Sequence, residues 1–165
     1  MLQPMARQID EIYCLLVPMQ QMRLIVPRTC VAEVIRYSPP EKPWSGPGWF
    51  RGFIPWNTLR VPLVSFEELC GHAPSDVGGR TRIAILNAVS GKLETGYLGV
   101  MTQGFPQLVR LNREVMQLDD RNPWPAEGPV ICQVRMINEY PLIPDLEKVE
   151  LMVQGCLDRR GAQLT

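Results

Sequence analysis

Apolar residues fall in short runs along this chain, and glycine or proline punctuates most of the gaps between them. Ile12–Val17 and Met22–Val26 are two such runs, joined by Pro18-Met19-Gln20-Gln21. A link that short suits a hairpin, and the apolar content predicts two largely buried strands. Val31, Val34 and Ile35 then recur at helical spacing with Glu33 and Arg36 off the stripe, which predicts a helix of one or two turns beginning at Pro27 and capped by Thr29. Tyr37–Pro43 is rich in proline and must run extended, since each proline lacks an amide donor and disfavours helix in the residue before it.

The next stretch, Trp44–Leu69, WSGPGWFRGFIPWNTLRVPLVSFEEL, organises the rest and is expected to be a hinge between two lobes. Pro43, Gly46, Pro47 and Gly48 predict a tight loop ending at Trp49. Phe50, Phe53 and Ile54 favour a strand, and Gly52, between Arg51 and Phe53, suits a bulge or the close approach of another backbone. A second strand is expected over Thr58–Leu63. Ser65 is placed to cap a short helix over Phe66–Cys70, with Glu67 and Glu68 in the first turn, where the helix dipole favours negative charge.

Gly71–Arg80, GHAPSDVGGR, reads as the most flexible loop and as the approximate division between the two halves. Thr81–Val89 and Thr95–Met101 should pair around Ser90-Gly91-Lys92. Gly96, Gly99 and Gly104 interrupt the second of these strands, and Leu108–Leu111 continues the sheet. Asp119–Pro129 is another loop, with Trp124 bracketed by prolines, before strands at Val130–Ile137 and Pro141–Ile143 around an Asn138-Glu139 turn. Asp145 caps a closing helix through about Leu157, in which Leu146, Val149, Val153 and Leu157 form a stripe fit to dock on a sheet. Many short strands and brief helices indicate an all-β barrel architecture. Residues 1–10 are expected to form a flexible arm, 11–157 a single domain and 158–165 a tail.

With 165 residues the chain is one domain by length, and 17 basic against 17 acidic residues leave no electrostatic footprint for nucleic acid or anionic lipid. Five cysteines, at 14, 30, 70, 132 and 156, are odd in number and contain no Cys-x-x-Cys pair. That argues against a disulfide framework or a zinc site and fits a reducing cytoplasm. No apolar run approaches the roughly 20 residues a membrane span needs, and the first residues lack the apolar core of a signal peptide.

Chemistry has little to work with. His72 is the single histidine, and Cys70 beside it offers a thiol and an imidazole without a third, orienting group. Glu67-Glu68 and Asp119-Asp120 are sequence neighbours that point apart, and Gly78-Gly79 lacks the lysine of a phosphate loop. The expectation is a protein that is not an enzyme and needs no metal or cofactor. A β scaffold of this kind works by contact, and Trp44, Trp49, Phe50, Arg51 and Trp56 supply candidate anchors. Trp44, beside prolines, is expected to be exposed; the others divide between core and surface.

The order of apolar run, glycine, apolar run, Val-Pro-Leu and short helix resembles the chemotaxis coupling proteins, the CheW-like domains. IYCLLVP and MRLIVPRTCVAEVIR look like that family's first two strands and short helix, and PGWFRGFIPWNTLRVPLVSF like its central segment. RIAILNA, TGYLGVMTQGFPQLVRL and YPLIPDLEKV stand where its second-lobe strands and closing helix belong. The resemblance implies two SH3-like five-stranded barrels side by side. It also implies a cytoplasmic adaptor that joins a chemoreceptor tip to the regulatory domain of a CheA-type histidine kinase. By position, Val31, Glu33, Gly52 and Asn57 match family positions tied to those contacts. The family's Asn-Leu-Arg-Gly turn appears here as Trp56-Asn57-Thr58 after Pro55, so its receptor-binding arginine is Asn57 and its glycine Thr58. Its Val-Asp pair appears as Thr102-Gln103. These departures suggest a divergent branch, such as the coupling proteins of type IV pilus chemosensory systems. Rival readings are a stand-alone SH3-like peptide-binding module using the tryptophans, and a thiol enzyme using Cys70 and His72.

Overall fold

The computed structural model describes residues 11–42 and 45–163; the expected arm at 1–10 and Trp44 lie outside the described residues. The strands are β1 (Ile12–Pro18), β2 (Arg23–Pro27), β3 (Val31–Arg36), β4 (Phe50–Trp56), β5 (Leu59–Val64), β6 (Thr81–Asn87), β7 (Tyr97–Gln103), β8 (Gln107–Leu111), β9 (Gln117–Asp119), β10 (Val130–Arg135) and β11 (Leu142–Pro144). Helix α1 (Phe66–Leu69) follows β5, and α2 (Leu146–Gln163) follows β11. The strands make a six-stranded sheet in the order β8-β1-β2-β11-β10-β9 and a five-stranded sheet in the order β3-β6-β7-β5-β4. The fold is therefore mostly β, in two SH3-like lobes closed by a C-terminal helix, with six strands rather than five in one lobe.

In the five-stranded lobe the outer strands of that order meet. Glu41, beyond the end of β3, exchanges two 2.8 Å backbone hydrogen bonds with Phe53 of β4. Trp56 Nε1 of β4 also donates to Glu33 Oε2 of β3 at 2.7 Å. The sheet thus curls back on itself, which removes most of an exposed edge.

Successive side chains of a strand point to opposite faces, so a continuous apolar run implies cover on both. The clusters show what covers each face. Leu16 and Ile25 fill the interior of the six-stranded lobe with Cys14, Leu111 and Val134. Ile83 and Ile85 fill the five-stranded lobe with Ile54, Val61, Leu63 and Met101. The alternate positions, Val17, Leu24 and Val26 from one lobe and Val64, Ala84 and Leu86 from the other, meet in a third cluster with Val149 and Val153 of α2. The expected stripe on the closing helix is the part of α2 that seals this shared core, and Asp145 Oδ1 accepts from the Lys148 backbone N–H at its start.

Several expectations need correction. Residues 31–36 form a strand, and only Arg28–Cys30 turns, as a 3₁₀ helix. A bulge between Val31 and Glu33 sets Val31 opposite Leu86 and Val34 opposite Ala84, two positions of the shared cluster. One extra residue in the strand therefore turns a period of two into an apparent helical spacing. The stretch expected to be a hinge is instead the β4–β5 hairpin, inside one lobe. Gly71–Arg80 joins α1 to β6 and separates no lobes, because β3 to β7 all lie in the five-stranded sheet, inserted between the strands of the other. Residues 107–111 do not continue the sheet of β7. Gly104, at φ +127°, lets the chain leave, and β8 pairs with β1 in the other lobe. The closing helix continues through residues 158–163, where a tail was expected.

Candidate partner-binding surface

The β4–β5 hairpin displays one end of the five-stranded lobe. Trp56 pairs with Leu59, leaving Asn57 and Thr58 as a two-residue turn with φ of 48° and 65°. Positive φ at both central positions is the turn whose twist matches a hairpin, and asparagine tolerates it better than a β-branched threonine. Asn57 is exposed at the tip. Beneath it, the Trp56 indole lies edge-on to Tyr97 with ring centroids 4.8 Å apart and donates to Glu33, itself exposed on β3. Val31 is half-buried nearby on β3 and packs against the shared core.

Gly52 and Arg51 sit toward the other end of β4, about 16 Å from the tip at the rise of a strand. Gly52 has φ +120°, and a Cβ built there would lie 2.4 Å from the Glu41 carbonyl oxygen. Both expected reasons for a glycine therefore apply: β4 shifts register between Phe50 and Gly52, and a backbone crosses close by. Arg51 pairs with Glu68 of α1 at 3.2 Å. The structure thus gathers Val31, Glu33 and Asn57 at one end, with Trp56, and leaves Arg51 and Gly52 apart.

The aromatic residues serve mainly as structure. Phe50 is fully buried, with Trp49 and Phe53 edge-on to it at 6.0 and 5.7 Å. Arg60 stacks over Phe53 at 4.7 Å. Thr102 is buried at the end of β7 and donates to the Gly104 carbonyl, while Gln103 reaches the Asp76 carbonyl at 3.4 Å.

The surroundings of Cys70 disfavour a reactive thiolate. Burial, with Glu67 adding to it, pushes the Cys70 thiol up to about 11, so it stays protonated near neutrality. Glu67 and Glu68 are likewise structural. Glu67 is buried and accepts from the Gln21 backbone N–H at 2.6 Å and from the Ser75 hydroxyl. It ties the β1–β2 turn to the Gly71–Arg80 loop, which is further held by the Asp76 N–H donating to Gln20 Oε1 at 3.0 Å.

Two features have no sequence signal. Glu150 of α2 is 1% exposed, and its carboxylate accepts from the Val89 N–H, the Ser90 N–H and the Ser90 hydroxyl. Nothing in the local pattern separates this glutamate from a solvated one. The second is a cleft of about 630 Å³ between the β4–β5 hairpin, the Lys92–Thr95 loop and Gln154, Leu157 and Asp158 of α2. It joins elements distant in sequence.

A mostly β scaffold of two SH3-like lobes around a shared core, displaying a hairpin tip and open clefts, belongs to the class of two-lobed binding scaffolds. Residues 13–150 match the CheW-like domain, and the chain belongs to that family. The crystal structure of the scaffolding protein TtCheW from Thermoanaerobacter tengcongensis is similar in fold. Its TM-score is 0.67 at 12% sequence identity, over 82% of this chain and 89% of that one. No curated protein matches the sequence.

Proposed function

We propose that this protein is a non-enzymatic chemosensory adaptor that couples the cytoplasmic tip of a methyl-accepting chemoreceptor to the regulatory domain of a CheA-type histidine kinase. The output is chemotaxis or type IV pilus twitching motility. The CheW-like match over residues 13–150 carries this reading. Among the described residues no helix is long and apolar enough to cross a membrane, and the proposed place of action is the cytoplasmic side of receptor arrays. Val31, Glu33, Gly52 and Asn57 are the proposed contacts by family position, with Arg51 and Trp44 as further anchors.

Asn57 makes the receptor side the weaker one. A guanidinium forms bidentate, charge-assisted bonds that a short amide cannot replace, a difference on the order of 1.5–3 kcal/mol. The kinase-facing surface is therefore better preserved than the receptor-facing one.

Calorimetric titration against a purified kinase regulatory domain and a receptor cytoplasmic fragment tests this. The wild-type chain should bind the kinase domain, and Asn57→Arg should tighten the receptor fragment roughly 10- to 150-fold. Binding of the receptor fragment without binding of the kinase domain contradicts the proposal.

A further inference from the structure

Helix α2 carries a second stripe besides the buried one. Lys148, Leu151, Met152, Gly155 and Arg159 recur at three-, four-, seven- and eleven-residue offsets from the first. At 1.5 Å per residue they cover about 16 Å of one helix face. Together with Pro47 and Trp49, which form the opposite wall, they line a groove of about 580 Å³. Leu151 is 46% exposed at its centre.

Gly155 is the telling residue. Glycine inside a helix costs about 0.5–1 kcal/mol relative to alanine, so it needs a reason. Among the described residues the fold supplies none: a Cβ built there meets no heavy atom of theirs within 4 Å. The missing side chain leaves room above the helix for another backbone to come close.

Charge selects the occupant. The groove is edged by Lys148 at one end and Arg159 at the other, and among the described residues no carboxylate lines it. Asp145, one turn back, lies 3.8 Å from the Lys148 ammonium and offsets part of one charge. A second copy of α2 laid antiparallel would set Lys148 against Arg159, and a parallel one would set each cation against itself, so self-pairing is disfavoured.

We infer that this face of α2 docks an amphipathic helix of a partner protein whose apolar seam is flanked by carboxylates. The anchors are Leu151 and Met152 packed beside Trp49, the close approach is over Gly155, and the carboxylates meet Lys148 and Arg159. The groove shares no lining residue with the cleft beside the β4–β5 hairpin, and the inference stands or falls independently of the receptor and kinase contacts above.

The probe is a capped helical peptide of alanine and leucine with leucines at i, i+4 and i+7 and glutamates at both ends. Its counterpart carries lysines at those ends. Amide chemical shifts of the full chain are followed during titration. The glutamate peptide should shift amides between residues 148 and 159 and the Trp49 indole, and should bind more weakly as salt rises. Leu151→Asp should weaken binding by about tenfold or more. Gly155→Leu should do the same while leaving the melting temperature unchanged or raised, which separates loss of the groove from loss of the fold. Three results overturn the inference: equal binding of the lysine peptide, no binding of either, or a dimer in sedimentation that Leu151→Asp abolishes.

Discussion

Replacing Gly52 with alanine should cost about 3 kcal/mol, and two other glycines allow the sources of that cost to be separated. At φ +120° an L-residue is strained by about 1–3 kcal/mol before any contact is considered. The added Cβ would also lie 2.4 Å from the oxygen and 2.8 Å from the carbon of the Glu41 carbonyl, which are backbone atoms and cannot rotate away. Strand β4 must therefore part from Glu41, breaking the two 2.8 Å bonds between Glu41 and Phe53. Each is worth about 0.5–1.5 kcal/mol net, and the lower half applies because the freed groups reach water. For a chain of this size 3 kcal/mol corresponds to a fall in Tm of roughly 6–12 °C. Gly71 has φ +88° with no atom of the described residues within 4 Å of its built Cβ, so Gly71→Ala reports strain alone, about 1–2 kcal/mol. Gly79 has neither feature, and Gly79→Ala should be neutral or slightly stabilising. Urea denaturation followed by circular dichroism orders the three, and hydrogen exchange at the Phe53 amide reports the broken pairing. A Gly52→Ala variant no less stable than Gly71→Ala would refute the close-approach argument.

Three further outcomes are expected. Thr58, at φ 65° in the hairpin turn, is the wrong residue for its conformation, and Thr58→Gly should stabilise by roughly 0.5–1 kcal/mol; a lowered urea midpoint would contradict the turn assignment. Glu150→Ala leaves the Val89 and Ser90 donors without their acceptor and should cost about 3 kcal/mol. Glu150→Gln, which keeps one acceptor oxygen, should cost less, and equal costs would show that the hydrogen bonds are not the source. Asp119 is held down to about 2 from an ordinary 3.8, first by hydrogen bonds from Arg121, two of them at 2.8 Å. The folded state thus favours the carboxylate, so its contribution is full above about pH 4 and is lost as pH falls toward 2. Acid titration of stability should flatten over that window in Asp119→Asn, and an unchanged profile would count against the pair.

Local chemistry was legible in the sequence wherever one residue decides it. Gly52 announced a bulge and a close approach, Ser65 a cap that accepts from the Glu68 N–H, and the spacing of Leu146, Val149 and Val153 a docked helix face. Residues 31–36 misled because a bulge imitates a helical period. The pairing of Leu24 with Leu142, in parallel between β2 and β11, was out of reach, since no local signal links positions so far apart. Glu33 shows the same limit at the candidate surface. Its family position was readable, whereas its bond to Trp56 depends on the sheet closing on itself.

The relation between the lobes rests on the same alternation that made their strands apolar. Val17, Leu24 and Val26 face Val64, Ala84 and Leu86 in one cluster, and Val149 and Val153 complete it from α2. Separating the lobes would expose all of these at roughly 25 cal/mol per Å² of apolar surface, far more than a glycine-rich connector could resist or supply. The mutual pose of the lobes is therefore set by a continuous core, to which the Trp44–Leu69 segment contributes Phe50, Val64 and Phe66 instead of acting as a hinge. A partner bound at the Asn57 tip and another bound along α2 would be held by one rigid body, because the elements carrying both sites pack into that same cluster.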